Sequence, residues 1–121
     1  FRFFSRPEML KVLNYADLYV HPAEIEIEAI ACLEAIKCGL VPVIADSPRS
    51  ATRYFALTEK NLFRYDSPED LASRIDYWLD DPDALGRCRR EYEGYSAQFD
   101  RDVCMDRMEG MLRDAAASRK N

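Results

Sequence analysis

A chain of 121 residues that is 48% hydrophobic can bury one sizeable core but not two, so a single folded unit is expected. A net charge of −5, with no basic run beyond Arg87 to Arg90, excludes the broad cationic face that a nucleic-acid partner requires. No apolar stretch is long enough to cross a bilayer and no signal peptide opens the chain, so a cytoplasmic location is expected.

Four cysteines, Cys32, Cys38, Cys88 and Cys104, lack CxxC spacing, and one histidine cannot complete a zinc site. They read as reduced core thiols. The opening Phe1-Arg2-Phe3-Phe4 reads as the tail of a strand, and with no initiator Met the chain is expected to be a segment of a longer protein.

In chain order, Ser5-Arg6-Pro7-Glu8 combines a capping serine, an early proline and a capping-box glutamate. A helix follows to Asn14-Tyr15, with Leu10, Leu13 and Ala16 on its buried face. Asp17 to Val20 is a short strand stopped by His21-Pro22. Glu24 to Glu28 alternates with period two and admits a solvent-edged strand, but Ala29, Cys32, Leu33 and Ile36 fall at helical spacing. A loop through Glu26 and a helix from about Glu28 to Cys38, ended by Gly39, are therefore expected. Leu40 to Ala45 has the near-continuous apolar run of a parallel strand covered on both faces, with Pro42 favouring its start.

A turn at Asp46 to Ser50 leads into a helix or helical turn at Ala51 to Ala56, and Leu62-Phe63 is a very short strand. Ser67-Pro68-Glu69-Asp70 caps a helix burying Leu71, Ile75, Trp78 and Leu79. After Asp81-Pro82, the next helix carries a stripe of Leu85, Cys88, Tyr92, Tyr95 and Phe99. A last helix, Arg101 to Ala116, shows Cys104, Met108, Met111, Leu112 and Ala115, and its Gly110 calls for a packing partner. Residues 117–121 are expected to fray. Four strands alternating with helices, then consecutive helices, imply an α/β fold: a Rossmann-like parallel sheet with helical crossovers.

Such sheets bind ligands outside the carboxyl ends of their strands. The loop after Val20 lies there, and amides of Ala29 and Ile30 at a helix start can hold a diphosphate. Glu26 can then accept from hydroxyls beyond that phosphate, and Glu34, seven intervening residues on, from a ribose. This pattern suits a sugar nucleotide. Glu24 reads as a solvated face, and Glu28 equally as solvated or site-facing. Four clustered carboxylates do not make a calcium loop, so no metal is expected. His21 reads as a strand-end residue shaping the loop rather than as a general base.

These residues carry a resemblance. ADLYVHPAEIEIEAIACLEAIKCGLVPVIAD resembles the C-terminal signature of family 4 retaining glycosyltransferases of the GT-B fold, with Glu26 and Glu34 matching their Glu-x7-Glu pair. The Glu26-Ile27-Glu28 pattern, Ser50-Ala51-Thr52 and Phe55-Ala56-Leu57 before Leu62-Phe63 resemble bacterial glucosyltransferases acting on diacylglycerol or cholesterol. The resemblance implies that residues 1–121 are part of a C-terminal donor domain, with the N-terminal acceptor domain absent. It implies UDP-glucose as donor, no metal cofactor, and a lipid acceptor bound through the missing domain, with peripheral membrane contact by the parent. Glu26 would be the catalytic-centre residue, positioning the donor rather than attacking it. Glu34 would meet the ribose; Glu28, Ala29 and Ile30 the phosphate region; Ser50 and Thr52 the edge of the uracil or phosphate pocket. Many members have Gly-aromatic-Gly after the first glutamate, where this chain has Ile27-Glu28-Ala29. The isolated segment is expected to be inactive. Transfer to a capsule or other polysaccharide, and nonenzymatic sugar-nucleotide binding, are the alternatives.

Overall fold

A computed structural model describes residues 2–118. Three parallel strands, β1 (Leu18–His21), β2 (Val41–Asp46) and β3 (Leu62–Arg64), lie in the order β1-β2-β3. Leu18 pairs with Val41 and His21 with Ile44, while Ile44 to Asp46 pair with Leu62 to Arg64. The central strand is buried from Val41 to Ala45, as an apolar run between two covered faces requires.

The described residues form five α-helices: α1 (Arg6–Tyr15), α2 (Ile30–Lys37), α3 (Pro68–Asp80), α4 (Pro82–Ser96) and α5 (Arg101–Ser118). Helix α2 packs on β1, β2 and α4, whereas α3 packs on β2, β3 and α4. The core joins Cys32 and Ile36 of α2 to Val41, Val43 and Ile44, and to Phe63, Trp78, Leu85, Cys88 and Tyr92. Its aromatic polar groups are satisfied. Tyr92, wholly buried, donates to Phe55 O at 2.8 Å and accepts from the Leu57 amide at 3.2 Å. Trp78 Nε1 donates to Lys60 O at 3.1 Å.

Local chemistry sets the element ends. Glu8 accepts from the Ser5 amide at 2.9 Å and so closes the start of α1. Gly39, at φ +85°, ends α2: its amide reaches Ile36 O at 2.9 Å and the Leu40 amide reaches Ala35 O at 3.1 Å. Ser67 and Asp81 accept from Asp70 N and Ala84 N, capping α3 and α4.

Several expectations are corrected. Arg2 to Phe4 form no strand, since no strand of the described chain lies beside them, and the sheet has three strands rather than four among the described residues. Phe1 lies outside the described residues. The crossover from β2 to β3 is made by two 3-10 turns, Ala51–Phe55 and Glu59–Asn61, the first of them the helical turn expected at Ala51 to Ala56. Helix α2 begins at Ile30 instead of Glu28, because Ala29 adopts a left-handed conformation. Pro42 is the second residue of the central strand. Its carbonyl points toward Asn61, which donates to it at 3.0 Å, while β3 pairs only from Ile44 onward, so the missing N–H interrupts no ladder bond. Leu10 and Leu79, expected inside, are exposed, and no residue of α1 is fully buried. Phe99 has left α4 for a 3-10 turn, Ala97–Phe99, where its ring meets Tyr95 and Phe55 edge-on. Helix α5 runs to Ser118, two residues past the expected end; the fraying expected at 119–121 falls outside the described residues.

Candidate functional site

The loop from Pro22 to Ala29 leaves the carboxyl end of β1 and enters α2, the position at which a parallel sheet offers backbone amides to a ligand. A second loop holds it. Glu26 and Ser50 form an isolated parallel bridge: the Glu26 amide donates to Arg49 O at 3.3 Å and the Ala51 amide donates to Glu26 O at 2.9 Å. Ser47, fully buried at the end of β2, donates to Glu24 O at 2.6 Å. Arg49 pairs with the Glu24 carboxylate. The alternation from Glu24 to Glu28 therefore yields one bridged residue between bends, because the partner loop offers only one residue in register.

The Glu26 carboxylate folds back over its own loop. Its Oε1 accepts from the Ile27 amide at 2.9 Å, and its Oε2 lies 3.7 Å from His21 Nε2. The amides of Ala29 and then Ile27 lower its pKa from the ordinary carboxylate value, burial opposes them, and the Glu28 amide and the nearby His21 lower it further. The amide expected to meet a diphosphate thus faces the carboxylate expected to meet a sugar. His21 is 7% exposed, and burial lowers its pKa despite the pull of Glu26 in the other direction. On its far side, His21 Nδ1 is 3.1 Å from the Tyr19 hydroxyl, whose own pKa burial pushes up to about 12.

Ala29 is the only described non-glycine residue with positive φ, at +52°. It is buried, and its carbonyl accepts from Cys32 and Leu33 to start α2. An L-residue in this conformation costs about 1–2 kcal/mol, which the packing around it must offset.

The remaining candidates separate. Glu34 sits one turn into α2, partly exposed, with Arg6 Nη1 at 3.7 Å. Glu28 is exposed in the bend before the helix and Ile30 is exposed at its first residue. Ser50 and Thr52 are buried, and Ser50 donates to the Thr52 hydroxyl at 3.2 Å. The bridge brings Ser50 to Glu26, whereas Thr52 turns inward. A 430 Å³ depression lined by Ile25, Glu26, Ile27 and Glu28 opens at the loop, and Ile27 is 83% exposed on its rim.

Residues 1–94 match the family of glycosyl transferases group 1. The chain belongs to that family. It is also similar to the crystal structure of the catalytic domain of cholesterol-alpha-glucosyltransferase from Helicobacter pylori, with 47% identity and a TM-score of 0.76. That match covers 81% of this chain and 62% of the other, so the chain spans less than two thirds of that catalytic domain. The parallel sheet flanked by helices accordingly belongs to a GT-B glycosyltransferase domain.

At Ile27-Glu28-Ala29, where the resemblance leads one to expect Gly-aromatic-Gly, Ala29 takes a left-handed conformation that a glycine reaches freely. Sequence reasoning overlooked Tyr19, Ser47 and Arg49. Tyr19 is two residues from His21 and therefore on the same strand face, a signal that was present. The serine and arginine act only through contact between two loops, which spacing does not encode. Among the described residues, no helix is long and apolar enough to cross a membrane.

Proposed function

We propose that residues 1–121 are the distal part of the donor domain of a retaining glycosyltransferase that moves glucose from UDP-glucose to a diacylglycerol- or sterol-type lipid. The observation that supports this reading is the Glu26 carboxylate, held over the amides at the start of α2 in a chain 47% identical to a cholesterol glucosyltransferase domain.

In this reading the diphosphate of the donor takes the Ala29 and Ile30 amides, with Glu28 at the border of the phosphate region. Glu26 turns to the hydroxyls of the glucose near its reacting carbon, and Glu34 accepts from the ribose. Ser50 and the backbone around Thr52 edge the nucleotide pocket. No pair of protein carboxylates flanks the bond as in a retaining glycosidase. Departure of the nucleotide diphosphate and attack by the lipid hydroxyl take place on one face of the sugar, and Glu26 positions the donor. The diphosphate charge is met by amides and by basic groups of the parent, without a divalent cation. The parent carries the acceptor site outside this chain, works in the cytoplasm and touches the membrane peripherally. The isolated segment binds no acceptor and is inactive.

Calorimetry of the full-length protein with UDP-glucose tests this reading. Glu26→Ala and Glu34→Ala are each expected to weaken donor binding about tenfold, the loss of one charge-assisted hydrogen-bond set. Unchanged binding in both variants removes the reading. Glucose transfer to a polysaccharide but not to lipid would replace the acceptor class, and donor binding without transfer would make the protein a binding module.

A further inference from the structure

Both oxygens of Glu26 are already addressed, but unequally. Oε1 has the Ile27 amide at hydrogen-bond distance and the Ala29 and Glu28 amides also act on the carboxylate, whereas Oε2 lies 3.7 Å from His21 Nε2, short of a hydrogen bond. That nitrogen is buried and has no hydrogen-bond partner. A buried donor without a partner is costly, so its aim at a nearby carboxylate calls for an explanation.

The tautomer follows from the neighbours. Tyr19 remains protonated and lies 3.1 Å from Nδ1, so its hydroxyl can donate to that nitrogen. The proton of neutral His21 then sits on Nε2 and points at Glu26. The opposite tautomer would set a bare lone pair against a carboxylate. The other titratable groups around the pair are Cys32 and Glu34 of α2, which act on Tyr19, while β2 presents only Ile44 opposite His21. No cation competes for Glu26 from these elements.

We propose that Tyr19 and His21 form a receiver for Glu26: when the donor diphosphate takes the loop amides, the carboxylate closes onto His21 Nε2–H and is held facing the sugar. This rests on the donor-site reading of Glu26 given above. His21 is a positioning residue here, acting through Glu26 without touching the sugar. The movement required is about 1 Å, from 3.7 Å to a hydrogen bond of about 2.8 Å. Closing it gives the orphaned donor its partner and leaves the remaining lone pairs of Glu26 for sugar hydroxyls.

The test is a double-mutant cycle on UDP-glucose affinity in the full-length protein. His21→Ala is expected to weaken binding about tenfold and Tyr19→Phe about threefold, while His21→Gln, which keeps an N–H near the Nε2 position, stays within about threefold of the parent. In a Glu26→Ala background, His21→Ala is expected to have no further effect, because its target is gone. A tenfold loss that persists in that background would make His21 merely structural and overturn the proposal. If His21→Ala does not fold, Tyr19→Phe in the two backgrounds separates the same two outcomes. A Glu26→Ala protein that binds UDP-glucose normally would instead defeat the donor-site reading, so the two failures are distinguishable.

Discussion

The sheet core and helix α5 both carry apolar residues expected to pack, and they end in opposite situations. From Val41 to Ala45 every residue is buried, and Cys32, Ile36, Trp78, Cys88 and Tyr92 close over them. Along α5 every described residue is exposed, including Met105, Met108, Met111 and Leu112, and the helix packs chiefly on the 3-10 turn before it. A helical stripe states which face is apolar, but not what covers it. Burial of that stripe depends on chain that reaches it in space, and the strands of this chain do not.

The contrast can be pressed hardest at its centre. Ile44→Ala, in the fully buried middle of β2, is expected to cost about 2–5 kcal/mol in chemical denaturation, through lost transfer energy and a cavity that the sheet cannot close. Tyr92→Phe keeps the ring but strands the Leu57 amide and the Phe55 carbonyl; a loss of about 1–3 kcal/mol is expected, read as a lower denaturant midpoint at unchanged slope. Gly39→Ala is smaller again. Its new Cβ meets nothing within 4 Å, so the cost is the left-handed backbone alone, about 1–2 kcal/mol.

A gentler effect is expected from pH. Burial lowers the His21 pKa in the folded state, so the unfolded chain binds the proton more readily and stability falls as pH drops below the ordinary histidine value of about 6.5. Denaturant midpoints measured from pH 8 to pH 5 should decline less in His21→Gln than in the parent; an identical decline would locate the effect elsewhere. At the far end of the scale, Met111→Ala on α5 should change stability by no more than about 0.5 kcal/mol, since its side chain is 64% exposed. A core-sized loss there would mean that α5 is covered in solution, and its contrast with the sheet core would then fail.

These regions also differ in how well they could be read. The central strand declared itself by a continuous apolar run, and α2, α3 and α4 by caps and periodicity, because such signals are local and each is carried by a few adjacent residues. The loop at Glu24 to Ala29 was less legible. Its alternation suggested a strand, yet its shape is set by Ser47, Arg49 and Ser50, more than twenty residues away in sequence. Pro42 looks out of place in an inner strand until Asn61 is found on the side where its N–H is missing. Ala29 gave no sign of a left-handed backbone, since nothing in an alanine distinguishes it from a helical residue. The Glu26 and Glu34 spacing was visible at once, while the approach of His21 to Glu26 required the fold.

The bridge between Glu26 and Ser50 has a mechanical meaning. Two loops from neighbouring strands share backbone hydrogen bonds in both directions, so they form one lever rather than two flexible tips. A displacement of residues 47–51 cannot leave the Glu26 backbone where it was unless those bonds break. Hydrogen exchange at the Glu26 and Ala51 amides should accordingly proceed through one shared opening, with one protection factor, rather than through two independent ones.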